Sequence, residues 1–297
     1  MTKVSPSLLV VADVPQMPSR PLDSNKGSYG RVSIVAGSCG MSGAAVLCAT
    51  AALRGGAGLV RVAVPEDILP LVASANPCYM TVPLPQDGHG RLSAAALPQL
   101  LELVRASSVA ELGPGLGQSG ELADTIAYVL EQTTTPLVLD ADALNALAGR
   151  LDALRKHRGP IVLTPHPGEF ARLLACDIPT VQAHRQELAV EFAQTHGVVV
   201  VLKGYGTIVT EGRRVYVNAT GNPGMATGGT GDVLGGLIAA LLGQQLEPFA
   251  AAQLGAYLHG LAGDLAMQQV GEASLIAADL LDYLPRAFQH HARRRRS

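Results

Sequence analysis

The chain has 297 residues, 48% of them hydrophobic, and a formal net charge of −2. It is long enough to bury a sizeable core. So small a net charge gives no electrostatic reason to expect a nucleic acid or a membrane surface as its partner. The apolar run near the N-terminus is too short for a membrane span and lacks a cleavage site of small residues. We therefore expect a cytoplasmic protein.

The chain is expected to form a single domain, because no internal repeat and no long polar linker divides it. We place this domain at residues 26–285, after a loose N-terminal segment of residues 1–25. The last residues include a run of arginines, and such a run at a terminus is usually solvated. We expect residues 286–297 to form a basic tail.

Short runs of β-branched and aliphatic residues, each bounded by Gly, Pro, Asp or Thr, predict the strands of a sheet. In chain order these runs are Arg31–Ala36, Leu59–Val64, a weaker one at Ser108–Leu112, Pro136–Asp140, Ile161–Thr164 and Val198–Lys203. Because they are apolar almost throughout, both faces of each strand should be buried, as in a parallel sheet.

Stretches rich in Ala and Leu separate the predicted strands and are long enough to form crossover helices. The clearest are Gly43–Arg54, Leu122–Glu131 and Thr180–Thr195, and residues 232–284 look wholly helical. Thr207–Thr210 and Arg213–Val217 flank a Glu-Gly turn and predict a β-hairpin at the edge of the sheet. The predicted fold is therefore α/β, a doubly wound and mostly parallel sheet with helices on both faces.

Chemically distinctive residues follow several predicted strands, and ligands of open α/β sheets bind beyond the carboxyl ends of the strands. These residues are Gly37-Ser38, Gly113–Gly117, Asp140–Asp142, Thr164–His166 and Lys203-Gly204. Asp140 and Asp142 could hold a hydrated Mg²⁺, which prefers one or two carboxylates with waters and phosphates. Alternatively, Asp142 caps the helix that begins at Ala143 and Asp140 merely ends the strand.

A glycine-dense loop, Asn222–Gly231, runs directly into an apolar helix at Val233–Leu242. Glycines let backbone N–H groups converge, and the N-terminus of a helix adds the positive end of its dipole. We therefore predict an anion hole formed by Gly228, Gly229, Thr230 and Gly231. Asp232 follows in the first helical turn, where it can cap the helix and also face a bound anion.

The string Gly-Gly-Thr-Gly-Asp-Val-Leu around Asp232 resembles the signature of ribokinase-like kinases. In those enzymes the aspartate takes a proton from the accepting hydroxyl while the loop amides hold the transferring phosphoryl group. Further strings resemble one family of this superfamily, the ADP- or ATP-dependent NAD(P)H-hydrate dehydratases. They are Lys26–Arg31, Gly37–Ala45, Gly55–Leu59, Gly113–Gly117, Leu139–Asn145, Thr164–Glu169, Lys203–Thr207 and Gly221–Leu234. The resemblance implies a ribokinase-like fold.

The same resemblance implies which residues bind each ligand. The AMP part of the nucleotide is expected to contact Lys203, Gly204, Tyr205, Gly206, Thr207 and Gly231. The hydrated dinucleotide is expected to contact Ala44, Gly115, Gly117, His166 and Asp232. Asp140 and Glu169 are the candidate ligands of Mg²⁺. The alternative for residues 113–117 and 203–207 is a tight turn without a ligand, and a lone histidine such as His166 is usually structural.

The implied reaction is the dehydration of hydrated NADH or NADPH. Asp232 would take a proton from the ring hydroxyl, the oxygen would attack the terminal phosphoryl group, and loss of phosphate would regenerate the reduced nicotinamide. The glycine loop resembles that of members using ADP, so ADP is the expected co-substrate, giving AMP and phosphate, although ATP could replace it. We also expect a separate NAD(P)H-hydrate epimerase and a homo-oligomeric assembly.

The main alternative is a small-molecule kinase, acting for instance on a hydroxymethylpyrimidine or a hydroxyethylthiazole, because fold and anion hole would be the same. Many such kinases place an asparagine three residues before a glutamate, where this chain has His166 and Glu169. The histidine argues against that alternative. A dinucleotide-dependent dehydrogenase is not supported, because the first predicted strand leads to Gly37–Gly43 and not to a G-x-G-x-x-G fingerprint.

Overall fold

The structure is a computed structural model that describes residues 8–293. The strands are β1 (Leu9–Val10), β2 (Arg31–Val35), β3 (Leu59–Pro65), β4 (Met80–Leu84), β5 (Val109–Leu112), β6 (Leu137–Leu139), β7 (Ile161–Leu163), β8 (Val199–Leu202), β9 (Ile208–Thr210) and β10 (Arg214–Val217). The helices are α1 (Ser42–Arg54), α2 (Leu69–Ala75), α3 (Leu97–Arg105), α4 (Gly120–Gln132), α5 (Asp142–Leu147), α6 (Asp152–Lys156), α7 (Pro167–Leu174), α8 (Ile178–Ala183), α9 (Arg185–His196), α10 (Thr230–Gly243), α11 (Pro248–Val270) and α12 (Ala277–Arg293).

All of these strands belong to one 10-stranded sheet with the order β1-β10-β9-β8-β7-β6-β5-β2-β3-β4. Neighbouring strands from β4 across to β8 are parallel. Strand β9 pairs antiparallel with β8, and β10 pairs antiparallel with β9. The order reverses at β2, whose neighbours are β3 and β5. The sheet is thus mostly parallel and doubly wound, as predicted.

Helices pack on both faces of the sheet. Successive residues of a strand point to opposite faces, so each strand contributes side chains to two separate cores. Ile34 and Val62 face a core that contains buried residues of α1, α10, α11 and α12. Val35 and Ala63 face a second core with α3, α4, α5, α7 and α9. No helix between residues 8 and 293 is long and apolar enough to cross a membrane.

The structure corrects several predicted elements. Strand β4 was missed because it lies at the sheet edge, is only partly buried and contains Pro83, which an edge strand tolerates. The predicted helix Thr180–Thr195 is broken at His184 into α8 and α9, and residues 232–284 form parts of three helices. The hairpin β9–β10 is not at the edge, because β1 pairs with β10 on its outer side.

Both predicted terminal segments are partly attached to the domain. In the segment predicted to be loose, Leu9 N donates to Arg213 O at 2.9 Å. Pro15 O accepts a hydrogen bond from His291 Nε2 at 2.9 Å. Residues 286–293, predicted as tail, instead continue helix α12. Residues 1–7 and 294–297, with the rest of the predicted tail, lie outside the described residues.

Candidate functional site

The predicted site residues meet at the carboxyl edge of the sheet. Because β5, β6, β7 and β8 are neighbours, the residues that follow them stand side by side in space. These are Gly113, Asp140, Thr164 and Lys203. Helix α10 packs against β2, β5 and β6 and brings Asp232 to the same edge.

The glycine loop presents free backbone donors at the start of α10. The helix begins at Thr230, after Gly229, which has a φ of 89° and serves as the N-terminal cap residue. The N–H groups of Gly228, Gly229, Thr230 and Gly231 donate no hydrogen bond to any other described residue. Unpaired amides in a first helical turn are the usual basis of an anion site. The arrangement therefore has the geometry of the predicted anion hole.

Asp232 lies in the first turn of α10, but its side chain makes no capping hydrogen bond, so the capping interpretation is wrong. Its carboxyl group is half-buried beside other acids. Burial, and then the charge of Asp140, raise the pKa of Asp232 to about 7, although Lys203 opposes the shift. A carboxylate with this pKa suits a general base near neutral pH.

Lys203 and Asp140 form an ion pair directly beneath the anion hole. Lys203 Nζ donates to Asp140 Oδ1 at 2.8 Å, and the carboxylate is fully buried. A β-carbon added at Gly231 would lie 3.1 Å from Lys203 Nζ and 3.7 Å from Asp140 Oδ2. Burial alone would lower the pKa of Lys203, but Asp140 and Glu169 raise it overall, so the lysine is held charged.

The two candidate Mg²⁺ ligands differ in whether a carboxylate oxygen is left without a protein partner. Asp140 Oδ2 is buried and has no hydrogen-bond partner among residues 8–293. Glu169 Oε2 accepts the N–H of His166 at 2.9 Å, and Oε1 lies 3.2 Å from His166 Nε2. No group of three or more His, Cys, Asp or Glu side chains in the described part of the chain is arranged to hold a metal. Because Mg²⁺ is usually held by one or two carboxylates with phosphates, Asp140 fits such an ion better than Glu169 does.

His166 has a structural role that its sequence position did not reveal. Its Nδ1 accepts the N–H groups of Gly168 at 2.9 Å and Glu169 at 3.3 Å, and so caps α7. With Nδ1 as an acceptor, the neutral ring carries its proton on Nε2. Burial, together with the charges of Lys203 and Arg172, lowers the pKa of His166. The side chain is 49% exposed, so the Nε2–H group can also reach a ligand.

The predicted dinucleotide segments are joined by close contacts. A β-carbon at Gly115, whose φ is 64°, would lie 3.0 Å from Ala44 Cβ. Ser38 Oγ donates to Gly115 O at 2.8 Å. Gly117 N donates to Asp142 Oδ2 at 2.8 Å, so Asp142 braces this loop, and it makes no capping hydrogen bond to α5.

The predicted nucleotide segment is an open turn after β8. Gly204 and Gly206 have φ values of 128° and 62°, which favour glycine. Tyr205 between them is fully exposed, and Thr207 Oγ1 donates to Gly204 O at 2.9 Å. Arg185 Nη2 donates to the carbonyls of Leu202 and Lys203 at 3.1 and 3.2 Å and so supports this turn.

Three residues of the site were not predicted from the sequence. They are Arg185, and His259 and Asp264 of α11, which contact the glycine loop. These side chains occur in helices that look like ordinary crossover or core helices. The available signal was the pair of ionisable residues in His259-Gly-Leu-Ala-Gly-Asp264, within a helix that has no other ionisable residue besides Tyr257.

Comparison with known proteins agrees with this geometry. A bifunctional NAD(P)H-hydrate repair enzyme of Moorella thermoacetica is 48% identical over 271 residues, which are 91% of this chain and 51% of that protein. An ADP-dependent (S)-NAD(P)H-hydrate dehydratase of Neisseria meningitidis is 39% identical over 275 residues, 88% of this chain and 86% of that protein. The chain thus spans about half the length of the bifunctional relatives.

A solved structure of a dehydratase has the same fold as this chain. The crystal structure of an ADP/ATP-dependent NAD(P)H-hydrate dehydratase from Bacillus subtilis, co-crystallised with ATP and Mg²⁺, superposes with a TM-score of 0.82. It is 33% identical, and the match covers 93% of this chain and 94% of that one. The NAD(P)H-hydrate dehydratase family model matches residues 32–286. The chain therefore belongs to the NAD(P)H-hydrate dehydratase family, within the ribokinase-like fold.

Proposed function

We propose that the protein dehydrates (S)-NADH or (S)-NADPH hydrate at the expense of ADP, giving the reduced dinucleotide, AMP and phosphate. The observation that carries this proposal is the half-buried Asp232, with a pKa of about 7, next to the free amides of Gly228–Gly231. A base and a preorganised anion site are together what transfer of a phosphoryl group to a hydroxyl requires. The substrate, NAD(P)H hydrate, is inferred from the relatives, which are NAD(P)H-hydrate repair enzymes and dehydratases.

In this mechanism Asp232 takes the proton of the ring hydroxyl, and the oxygen attacks the terminal phosphoryl group of ADP. The bond from that phosphorus to the bridging oxygen breaks, and AMP leaves with the electron pair. The amides of Gly228–Gly231 hold the oxygens on which charge accumulates. The C–O bond of the phosphate ester then breaks, phosphate leaves with the electron pair, and the neighbouring ring carbon loses a proton. A double bond forms in the ring, which restores the reduced nicotinamide.

The proposed ligand contacts divide the site into a nucleotide part and a dinucleotide part. We propose that residues 203–207 and Gly231 bind the AMP part, while Ala44, Gly115 and His166 bind the hydrated dinucleotide. The amide of Gly117 is already donated to Asp142, so Gly117 contributes by the turn it permits, with a φ of 77°. A Mg²⁺ ion bound with the phosphates would neutralise their charge, and Asp140 Oδ2 is the oxygen placed to contact it.

A direct assay tests the proposed function. Purified protein, NADH hydrate, Mg²⁺ and either ADP or ATP are mixed, and the near-ultraviolet absorbance of NADH is followed. We expect the absorbance to return with ADP and one AMP to form for each NADH. Reactions without nucleotide serve as the control. If no absorbance returns with either nucleotide, the proposed function is wrong.

The pH dependence of the reaction should report the pKa of Asp232. Because a general base must be deprotonated, kcat/KM for the hydrate should rise with pH through about 7 and then level off. Asp140→Asn should move the midpoint to lower pH, because the charge of Asp140 contributes to the raised pKa. A midpoint near 4 in the wild-type protein would contradict this environment for Asp232.

His166→Asn should weaken hydrate binding while leaving the fold intact. Asparagine is a good N-terminal cap and can replace the Nδ1 contacts, but it is too short to supply the Nε2–H group. Loss of one polar contact predicts a weakening of about 1 kcal/mol for the hydrate. Calorimetric titration of hydrate and of ADP into both proteins measures the effect. A loss of ADP affinity alone would place His166 on the nucleotide side.

A further inference from the structure

Two polar side chains of helix α11 form hydrogen bonds with the glycine loop. His259 Nε2 lies 2.8 Å from the carbonyl oxygen of Thr230, the first residue of α10. Five residues further along α11, Asp264 accepts the N–H of Gly221 at 2.9 Å and the side-chain amide of Asn222 at 3.0 Å. The beginning and the end of the loop are therefore both attached to the same helix.

Two glycines of α11 allow the loop to approach this closely. A β-carbon at Gly260 would lie 2.3 Å from Thr220 Oγ1, and one at Gly263 would lie 2.3 Å from Met225 Sδ. A side chain at Gly260 would displace the backbone at Thr220, just before the loop, and one at Gly263 would force the Met225 side chain to move. The segment from His259 to Asp264 thus forms a surface that is shaped to the loop and bonded to it at both ends.

The hydrogen bond to Thr230 has a direct consequence for the anion hole. In a planar trans peptide the C=O and the following N–H point in opposite directions. A donor on α11 that is bonded to Thr230 O therefore aims the N–H of Gly231 away from α11. A carbonyl that accepts a hydrogen bond also polarises its own amide and makes it a better donor.

His259 is suited to this task because it remains a neutral donor. Thr230 O can only accept, so the ring carries its proton on Nε2. Burial lowers the pKa of His259 to about 4, although the hydrogen bond to Thr230 favours the charged form. The imidazole therefore brings no positive charge to the site at neutral pH, and its hydrogen bond does not change as the pH varies about 7.

We propose that His259 is a positioning residue that orients the Thr230–Gly231 peptide, so that Gly231 N–H donates to the phosphoryl group in transfer, with Asp264 anchoring the start of the same loop. The kinetic part of this inference rests on the proposed function. His259 does not touch the reacting atoms. Its effect passes through one backbone amide, whose hydrogen bond should strengthen as charge develops on the phosphoryl oxygens.

The test compares His259→Met, which keeps the length of the side chain but removes the donor, with His259→Gln, whose amide retains a donor near the position of Nε2. His157→Met is the matched control. His157 is a buried histidine that also contacts backbone carbonyls, those of Leu130 and Thr135 at 3.1 Å, but at the opposite end of the sheet strands from the site. It reports the general effect of removing a buried imidazole.

Loss of an oxyanion-hole donor itself costs about 10²- to 10³-fold in kcat, so loss of its orientation should cost less. We expect His259→Met to lower kcat per folded molecule about 10-fold or more, with a smaller change in KM for ADP. His259→Gln should recover part of the loss, and His157→Met should reduce stability but not kcat. Equal kcat for His259→Met and His157→Met would overturn the inference.

Amide hydrogen exchange in the free protein gives a second readout that needs no substrate. Exchange at Ala226 and Val233, whose N–H groups donate to Pro223 O and Gly229 O within the loop and at the start of α10, should be faster in His259→Met than in the wild type and unchanged in His157→Met. If exchange there is the same in all three proteins, His259 does not order the loop and the inference fails. If the wild type shows no dehydration but the exchange pattern holds, the proposed function fails and the positioning role of His259 stands.

Discussion

Asp232→Asn is expected to lower turnover by about 10²-fold or more, the usual range for a lost general base, while leaving ADP binding close to wild type. Asparagine has nearly the same shape as aspartate but cannot take the proton of the hydroxyl. Because Asp232 makes no capping hydrogen bond, the substitution breaks no helix cap. Single-turnover kinetics, together with calorimetric titration of ADP, would measure both effects.

The same substitution should make the protein more stable at pH 8. The pKa of Asp232 is raised from its ordinary 3.8 to about 7 in the folded state. An acid whose pKa rises on folding contributes stability that is complete below its unfolded pKa and is lost as pH rises through the folded one. Above pH 7 the buried charge is therefore a net cost, which asparagine removes.

Thermal unfolding at pH 5 and pH 8 would test this trade between stability and activity. Each kcal/mol gained corresponds to a rise in Tm of about 2–4 °C for a domain of this size class. The gain should be larger at pH 8 than at pH 5, because more of the shifted titration lies below pH 8. A variant that keeps most of its activity would show that Asp232 is not the base.

Lys203→Met is expected to destabilise the protein by about 3–5 kcal/mol, the range for a buried ion pair that loses one partner. Asp140 is fully buried, and Oδ2 already lacks a hydrogen-bond partner among the described residues. Without the lysine, both carboxylate oxygens would be left unpaired. Chemical denaturation at pH 7.5 measures the loss of stability, and ADP affinity should fall as well.

Two further variants would show whether the loss of stability comes from an unpaired buried charge. The double variant Asp140→Asn/Lys203→Met removes both charges and should recover much of the lost stability, because no unpaired charge remains. Arg150→Met breaks an exposed ion pair with Asp124 and should cost no more than about 1 kcal/mol. If Lys203→Met were as mild as Arg150→Met, the Lys203–Asp140 pair would not be a buried interaction in solution.

Local sequence patterns predicted those elements whose conformation is set by residues close together in the sequence. Continuous apolar runs identified the central parallel strands, and the residues after them marked the edge where Asp140 and Lys203 lie. The glycine density before Asp232 indicated free amides at a helix start, and that is where the structure has them. These features are set by chain conformation over a few residues.

Features that join distant segments could not be read in this way. Lys203 and Asp140 are separated by 63 residues, and their pairing depends on the strand order. The alternative interpretation of Asp142 as a helix cap was wrong because its carboxylate accepts the N–H of Gly117, which is 25 residues earlier. The cap formed by His166 is local, but histidine is rare as an N-terminal cap, so residue preferences did not suggest it.

The Lys203–Asp140 pair also affects how ligands bind. The two residues follow β8 and β6, which are separated by β7, so the pair bridges the end of the intervening strand. This part of the site loses its conformational freedom when the chain folds, and a ligand that arrives later need not order it again. Binding therefore carries a smaller entropic penalty on this side. Any rearrangement that accompanies ligand entry should be confined to the exposed turn around Tyr205.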